Sequence, residues 1–408
     1  MTSTPGQGAE PILLAFSGGL DTSFCVPWLE ETYRRPVITV TVDTGGIDAA
    51  AAKSLAERSA RLGAIEHHLV DARAAYFDQV LKFLIMGNVR RGNVYPLCVG
   101  AERVLQAQTI AQMALSLKTR MVAHGCTAAG NDQVRFEVAL RTLAPELEII
   151  APVRDRAFKR PEQLKYLEEH KLPVPPFGAA YSVNRGLWGV TIGGKETLTS
   201  QGSIPDDAWV LSKDAFSHPR SPERHTIGFT QGVPDSLDGK RLSAVAVIEA
   251  LETLAGPFGI GRGIHLGDTV IGTKGRVAFE APAADVLLTA HRELEKLVLT
   301  GRQARIKETV AQPYGDLVHE GQHLDPVCRD IEALLLSSQA RVSGEVTVLF
   351  RPGSAFVEGV SSPHSLMAAS KGVYGESAGE WTPTDALGFS KMLALTGVFY
   401  KRAGAGKS

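Results

Sequence analysis

Two short stretches hold the residues whose types and spacing could do chemistry. In Ile12-Leu-Leu-Ala-Phe-Ser-Gly-Gly-Leu-Asp-Thr-Ser23 an apolar run gives way to small polar residues around two adjacent glycines. Residues 12–16 have the length and apolarity of a buried strand, Asp21, Thr22 and Ser23 are helix N-cap types, and an amphipathic run follows from Phe24 to Tyr33. A strand, turn and helix in that order aim free N–H groups and the positive end of the helix dipole at the turn. Gly18 and Gly19 then let an anion approach the backbone closely. That is phosphate chemistry, but not of the Walker type, because no lysine follows the glycines and the spacing differs. The second stretch, His124-Gly-Cys-Thr-Ala-Ala-Gly-Asn-Asp-Gln-Val-Arg-Phe-Glu137, also follows a short apolar run. Asn131, Asp132 and Arg135 put an amide, a carboxylate and a guanidinium within one helical turn, a set that can hold a zwitterion. The same residues could equally be the cap and an i+4 partner of a solvated helix.

The elements that must position these stretches read as an alternation. Pro36 to Asp43 is a second β-branched strand ending in Asp43-Thr-Gly-Gly46, with further strands expected at 64–70, 121–125 and 147–153. Helical patterns cover 49–62, 74–86 and 102–117. Strands separated by helices imply an α/β fold, a doubly wound parallel sheet that collects ligands at its carboxyl edge. A charged helix is expected at 161–170, and Pro173-Val-Pro-Pro-Phe177 reads as an extended linker. Beyond it the pattern says less, with helices expected at 283–297 and 327–340, strands at 341–351 and 355–360, and a frayed tail at 404–408.

Composition narrows the class. The 408 residues exceed the usual single core, so two domains are expected. A net charge of −1 with 21% charged and 44% apolar residues argues against a large nucleic-acid surface. Cys25, Cys98, Cys126 and Cys328 lack any disulfide or metal-ligand spacing, which fits reduced thiols in a cytoplasmic protein and no protein-held metal. With no apolar leader and no run of about 18 apolar residues, neither export nor a membrane span is expected.

Ser17-Gly-Gly-Leu-Asp-Thr-Ser23 resembles the S-G-G-x-D-[ST]-S pyrophosphate loop of the ATP pyrophosphatases, and the His124 to Glu137 stretch is similar to the signature of one branch, the argininosuccinate synthase family. Further similarity runs in family order through Tyr95-Pro-Leu97 and Arg103, Ile150 to Arg154, Tyr181 to Gly189, Pro257 to Arg262 and Pro383 to Phe389. The resemblance implies a nucleotide-binding domain over 1–172, an α+β synthetase domain over 173–385, and a C-terminal oligomerisation helix and tail over 386–408 of a homotetramer. It implies an ATP-dependent carbon–nitrogen ligase that adenylates an acceptor's carbonyl oxygen and condenses it with L-aspartate, releasing AMP and pyrophosphate. Ala15, Phe16, Ser17, Gly18, Gly19, Leu20, Asp21, Thr22 and Ser23, with Val42 and Gly125, would hold ATP, and Mg²⁺ would offset the phosphate charge. Thr127, Asn131 and Asp132, with Arg103 nearby, would hold aspartate. Asp21, Ser23, Asn131 and Asp132 are the residues implied to act most directly in the reaction.

The acceptor side departs from the family. Tyr95, Arg135 and Ser182 match its citrulline site, and Thr191 replaces a serine. Val99 and Gly100 stand where two hydroxyls belong, Gly267 where a glutamate would meet the citrulline ammonium, and Phe279 where a tyrosine is expected. Losing such partners from a buried site costs on the order of 1.5–3 kcal/mol each, which points to a ureido, carbamoyl or amide acceptor without an α-ammonium. Ordinary argininosuccinate synthesis is the alternative, with Asp268 as one compensating group. A non-catalytic nucleotide-binding paralogue and a tRNA-modifying enzyme are further readings, the latter disfavoured by the neutral charge and scattered cysteines.

Overall fold

The structure, a computed structural model, describes residues 9–175 and 181–405. The end of the expected proline-rich linker at Pro176 and Phe177 lies outside the described residues, as do the first eight residues and the last three of the tail. Five strands, β1 (Ile12–Ala15), β2 (Val37–Asp43), β3 (Glu66–Asp71), β4 (Met121–His124) and β5 (Glu148–Ile150), form one parallel sheet in the order β3-β2-β1-β4-β5. Ile12, Leu13 and Leu14 are fully buried, as a central strand covered by helices on both faces requires. The order reverses between β1 and β4, and at such a switch point the loops leaving neighbouring strands diverge and open a crevice. Both chemistry-bearing stretches of the sequence leave the sheet there.

Two expectations in this half shift. The strand expected over 147–153 stops at Ile150, because Pro152 cannot donate to a ladder and instead opens the helical turn Pro152–Asp155. The helix expected over 74–86 runs from Arg73 to Met86 with a π-helical segment at Phe77–Leu81. This segment and the following loop leave the first sheet's core. Tyr76, Leu84, Tyr95 and Leu97 pack in one apolar cluster with Trp188, Ile248, Phe279 and Leu287 from the second half of the chain.

That second half is built on two antiparallel sheets. Strands β6 (Ser182–Gly186), β7 (Gly189–Gly193), β11 (Arg262–Asp268) and β12 (Lys274–Glu280) form one, in the order β11-β12-β7-β6. Strands β8 (Glu223–Thr230), β9 (Val233–Leu237), β10 (Lys240–Arg241), β13 (Gly344–Arg351) and β14 (Ser354–Ser361) form the other, in the order β10-β9-β8-β13-β14. The helix Pro282–Val298 packs on β13 and β14 through its buried side, and Lys307 of the next helix, 1% exposed, meets Glu295 from it. The last helix, Pro383–Gly404, begins with a Thr382–Asp385 capping box and buries none of its residues.

Candidate active site

The carboxyl ends of β1, β2 and β4 enclose a cleft of about 550 Å³. It brings together Ala15, Phe16, Ser17, Gly19, Asp21, Thr22, Val42, Arg103, Gly125 and Asp132 from the residues singled out in the sequence. Gly18, Leu20 and Ser23 lie behind this surface rather than on it. The helix begins at Leu20 with Gly19 as its N-cap, so Asp21, Thr22 and Ser23 form its first turn and are not caps. Two of the side chains face the loop's own backbone: the Thr22 hydroxyl donates to Gly19 O at 3.3 Å and the fully buried Ser23 hydroxyl to Gly18 O at 3.5 Å. No side chain caps the helix end, which leaves its first-turn amides for an anion.

The two glycines do different work. Gly18 has φ 73°, and a Cβ there would stand 2.5 Å from Leu55 Cδ2, so the fold itself demands glycine. Gly19 has φ −74°, and its Cβ would meet nothing nearer than Ser17 Oγ at 3.5 Å, so the fold itself does not require glycine there. Asp21 accepts a 2.9 Å hydrogen bond from Gln163, and Arg58 donates to Gly18 O. Neither Gln163 nor Arg58 was evident from the sequence, since each reaches the loop from a helix remote in the chain.

On the opposite wall lies a chain of alternating charges. Arg103 Nη1 meets Glu102 Oε1 at 2.9 Å, Arg103 Nε meets Asp132 Oδ2 at 3.0 Å, and Arg135 Nη1 meets Asp132 Oδ1 at 2.8 Å. Burial opposes ionisation of Asp132, but the two guanidiniums outweigh it and hold its carboxyl below the ordinary value. Glu102 differs. Burial pushes its carboxyl up to about 7 against the pull of Arg103 and of the Thr44 hydroxyl, 2.8 Å away. His124, stacked on Phe136, is pushed down to about 4 by burial and stays neutral. The Asn131 side-chain oxygen accepts from Val270 N at 2.9 Å, which ties this helix to the turn between β11 and β12 and excludes the plain-cap alternative, Gly130 being the N-cap. Thr127 is exposed, beside Gly130.

The residues expected on the acceptor side lie outside the cleft's lining and come together only in part. Tyr95 and Phe279, 5% and 3% exposed, have ring centroids 5.2 Å apart, and Phe279 pairs in register with Thr191 across β12 and β7. Gly100 packs on Arg135, whose Nη2 would stand 3.2 Å from a Cβ there. Val99 has φ 50°, a costly conformation for a β-branched residue. Ser182 is exposed at the start of β6. The Tyr95 hydroxyl donates to Cys98 O at 2.6 Å. His265, unremarked in the sequence, stacks on Tyr95 at 5.4 Å, and a Cβ at Gly267 would stand 2.5 Å from its Nε2. Asp268, the compensating group considered for Gly267, is 59% exposed and paired with Lys274.

Cleft residues contributed by the second half, Val183, Asn184 and Arg185 of β6, were likewise missed, as was Glu102. Among the described residues no acidic, histidine or cysteine cluster could hold a metal, and no helix is long and apolar enough to cross a membrane. All four cysteines are free.

Two family models match the chain, the arginosuccinate synthase N-terminal HUP domain over residues 11–173 and the arginosuccinate synthase C-terminal domain over residues 181–400. The argininosuccinate synthase of Xanthomonas campestris pv. campestris is 41% identical over 401 residues, covering 97% of this chain and 99% of that protein. Those of Pyrobaculum aerophilum and Dictyoglomus turgidum are 39% and 36% identical, covering 95% and 97% of this chain and 98% of each relative. With the parallel sheet, its uncapped glycine loop and similarity along nearly the whole length, the chain belongs to the argininosuccinate synthase family of ATP-dependent carbon–nitrogen ligases.

Proposed function

We propose that the protein condenses L-aspartate with citrulline at the expense of ATP, forming argininosuccinate, AMP and pyrophosphate. The observation that carries this reading is the single cleft in which the glycine loop and the Arg103–Asp132 pair face one another. The near-full-length similarity to proteins named argininosuccinate synthase supports citrulline as the acceptor. The ureido oxygen attacks the α-phosphorus, the bond to the β-phosphate oxygen breaks and pyrophosphate departs. The aspartate ammonium gives up a proton to solvent, the free amine attacks the activated carbon and loses a second proton, and AMP leaves with the oxygen.

The protein's part is placement and charge. Ser17, Gly19 and the first-turn amides cradle the departing pyrophosphate, Val42 and Gly125 border the nucleoside, and Asp132, held ionised by its guanidiniums, receives the aspartate ammonium. Asn131 and Thr127 complete that site. Of the cleft's carboxylates, Glu102 and Asp132 are engaged by Arg103, and Asp21 alone has no arginine partner. That donor set fits Mg²⁺ brought by the nucleotide phosphates and touched by Asp21, where it would offset phosphate charge, rather than a resident ion. The test is pyrophosphate release from ATP over a panel of ureido compounds, with and without aspartate, and the mass of the product. Release with glutamate or ammonia in place of aspartate, at equal rate, refutes the donor assignment.

One observation favours a second reading. The His265 imidazole stands where a side chain at Gly267 would begin, so an acidic group there requires His265 to leave its stack on Tyr95. An acceptor keeping citrulline's ureido and carboxylate but not its ammonium would suit Phe279, Val99 and Gly100 better. The same panel separates the two.

The helix Pro383–Gly404 exposes Phe389, Met392, Leu393, Phe399 and Tyr400 and buries nothing against its own chain. Such a face supports a homo-oligomer built through this helix, with four copies expected from the family. Sedimentation of the full chain and of a chain ending at residue 382 checks it, and an unchanged mass per particle refutes it.

A further inference from the structure

Five charged residues line the cleft, Asp21, Glu102, Arg103, Asp132 and Arg185, and only two of them are cations. Arg103 is already bonded to Glu102 and Asp132 within the cleft. Arg58, the other guanidinium near the loop, donates to the Gly18 carbonyl and does not line the cleft. A nucleoside triphosphate must therefore enter a cavity with little uncommitted positive charge, and no lysine follows the glycine loop to receive it.

Arg185 answers this arrangement. It sits on β6 of the second half, yet its stem lies on the crest of the nucleotide side: a Cβ at Gly46, where φ is 85°, would stand 2.9 Å from Arg185 Cγ. Glycine at 46 thus leaves the slot through which the side chain crosses. Beyond the slot the guanidinium meets Glu252 Oε1 in a pair whose arginine is 44% exposed, at the rim shared with a second cavity of about 300 Å³. Burial holds the Glu252 carboxyl above its ordinary value, the reverse of a firmly paired anion. The arginine end of this pair is solvent-accessible and free to swing to another anion, while the glutamate end is mostly buried, and arginine's planar fork suits phosphate oxygens.

Resting on the proposed ATP-dependent reaction, we infer that Arg185 is the second half's phosphate ligand: it exchanges Glu252 for the triphosphate when nucleotide binds, and so joins the two halves across the cleft. No covalent step is involved, only the exchange of one anionic partner for another.

The test is binding of a non-hydrolysable ATP analogue with Mg²⁺ by calorimetry, alongside pyrophosphate release, for the wild type, Arg185→Ala, Arg185→Lys and Glu252→Gln. The Ala variant should lose roughly tenfold or more in analogue affinity and in kcat/KM for ATP, with KM for aspartate unchanged. The Lys variant should recover part of that loss, as a point charge without the fork. Glu252→Gln should bind the analogue about twofold or more tightly, because the guanidinium no longer leaves a carboxylate. Should the Ala variant fold poorly, the Lys and Gln variants decide. Analogue affinity at the wild-type level in Arg185→Ala or Arg185→Lys, or weakened in Glu252→Gln, overturns the inference. Analogue binding is read without an acceptor, so a wrong acceptor, seen as wild-type protein that binds the analogue but releases no pyrophosphate with citrulline, leaves this result intact.

Discussion

The proposed nucleotide side and the proposed acceptor side of the site are built from different kinds of material. The first comes from consecutive residues at the ends of β1, β2 and β4, neighbours in one sheet, so a seven-residue pattern after an apolar run already implies its geometry. The second draws on the 95–100 loop, the helix opening at Asn131, strands β6 and β7, and the β11–β12 hairpin. Only packing in the second half's core brings those pieces near one another, and side chains absent from any local motif, such as His265, settle what space remains. Placement by a strand end is robust to changes elsewhere, whereas an arrangement drawn from five segments changes with any of them.

The sharpest way to break that comparison is at the two glycines. Gly19→Val should keep the wild-type Tm, since its Cβ meets only Ser17 Oγ at 3.5 Å, while lowering pyrophosphate release about 100-fold or more by filling the phosphate's space. Gly18→Val should lower Tm as well, through the strained φ and the collision with Leu55. Equal activity of Gly19→Val and wild type would show that no anion sits at the loop.

A smaller effect is expected at the junction of the two sides. Asn131→Ala removes an amide next to Asp132 and a hydrogen bond to Val270 N, and should lower kcat/KM for aspartate about tenfold while that for ATP stays within about twofold. Equal losses for both substrates would mean that Asn131 holds the two halves in register rather than the amino donor.

The acceptor side is sharpened by one pair of changes. Gly267→Glu alone should fail to help citrulline, because His265 fills the space, and the double variant His265→Ser with Gly267→Glu tells the readings apart. If citrulline is the natural acceptor, the wild type works with kcat/KM of about 10⁴ M⁻¹s⁻¹ or more, and the double variant gains nothing. A slow wild type improved several-fold by the pair would assign the site to an acceptor without an ammonium.

The smallest effect is a pH dependence. The Glu102 carboxyl, with an ordinary value of 4.5, is raised to about 7 in the fold, so its contribution to stability is complete below 4.5 and is lost as pH rises through about 7. Glu102→Gln cannot ionise. Its Tm relative to the wild type should therefore improve steadily from about pH 5 to about pH 8, and a difference independent of pH would mean that Glu102 keeps an ordinary carboxyl in the fold.

The parallel sheet was legible chiefly because β1, β2 and β4 are largely apolar or β-branched runs each followed by a helical pattern, whereas β3, Glu-His-His-Leu-Val-Asp, is mostly polar. The helix cap was misplaced by two to four residues: Asp21, Thr22 and Ser23 have cap chemistry, yet Gly19 caps, the Thr22 and Ser23 hydroxyls bond the loop, and Gly18 packs against Leu55 and Arg58. The four-stranded sheet went unread in sequence, since short strands such as Ser182–Gly186 are mostly exposed and have no clean alternation. By itself, then, the sequence determined the parallel-sheet architecture, the glycine loop between strand and helix and the cluster around Asp132, because these depend on residues close together in the chain. Only the tertiary structure decided that Gly18 and Gly19 have separate duties, that Glu102 is a buried carboxyl near neutrality, that His265 occupies the room beside Gly267, and that Arg185 reaches the cleft over Gly46. Each of these depends on the distance between residues far apart in sequence, which burial of the shared core sets and no local pattern encodes.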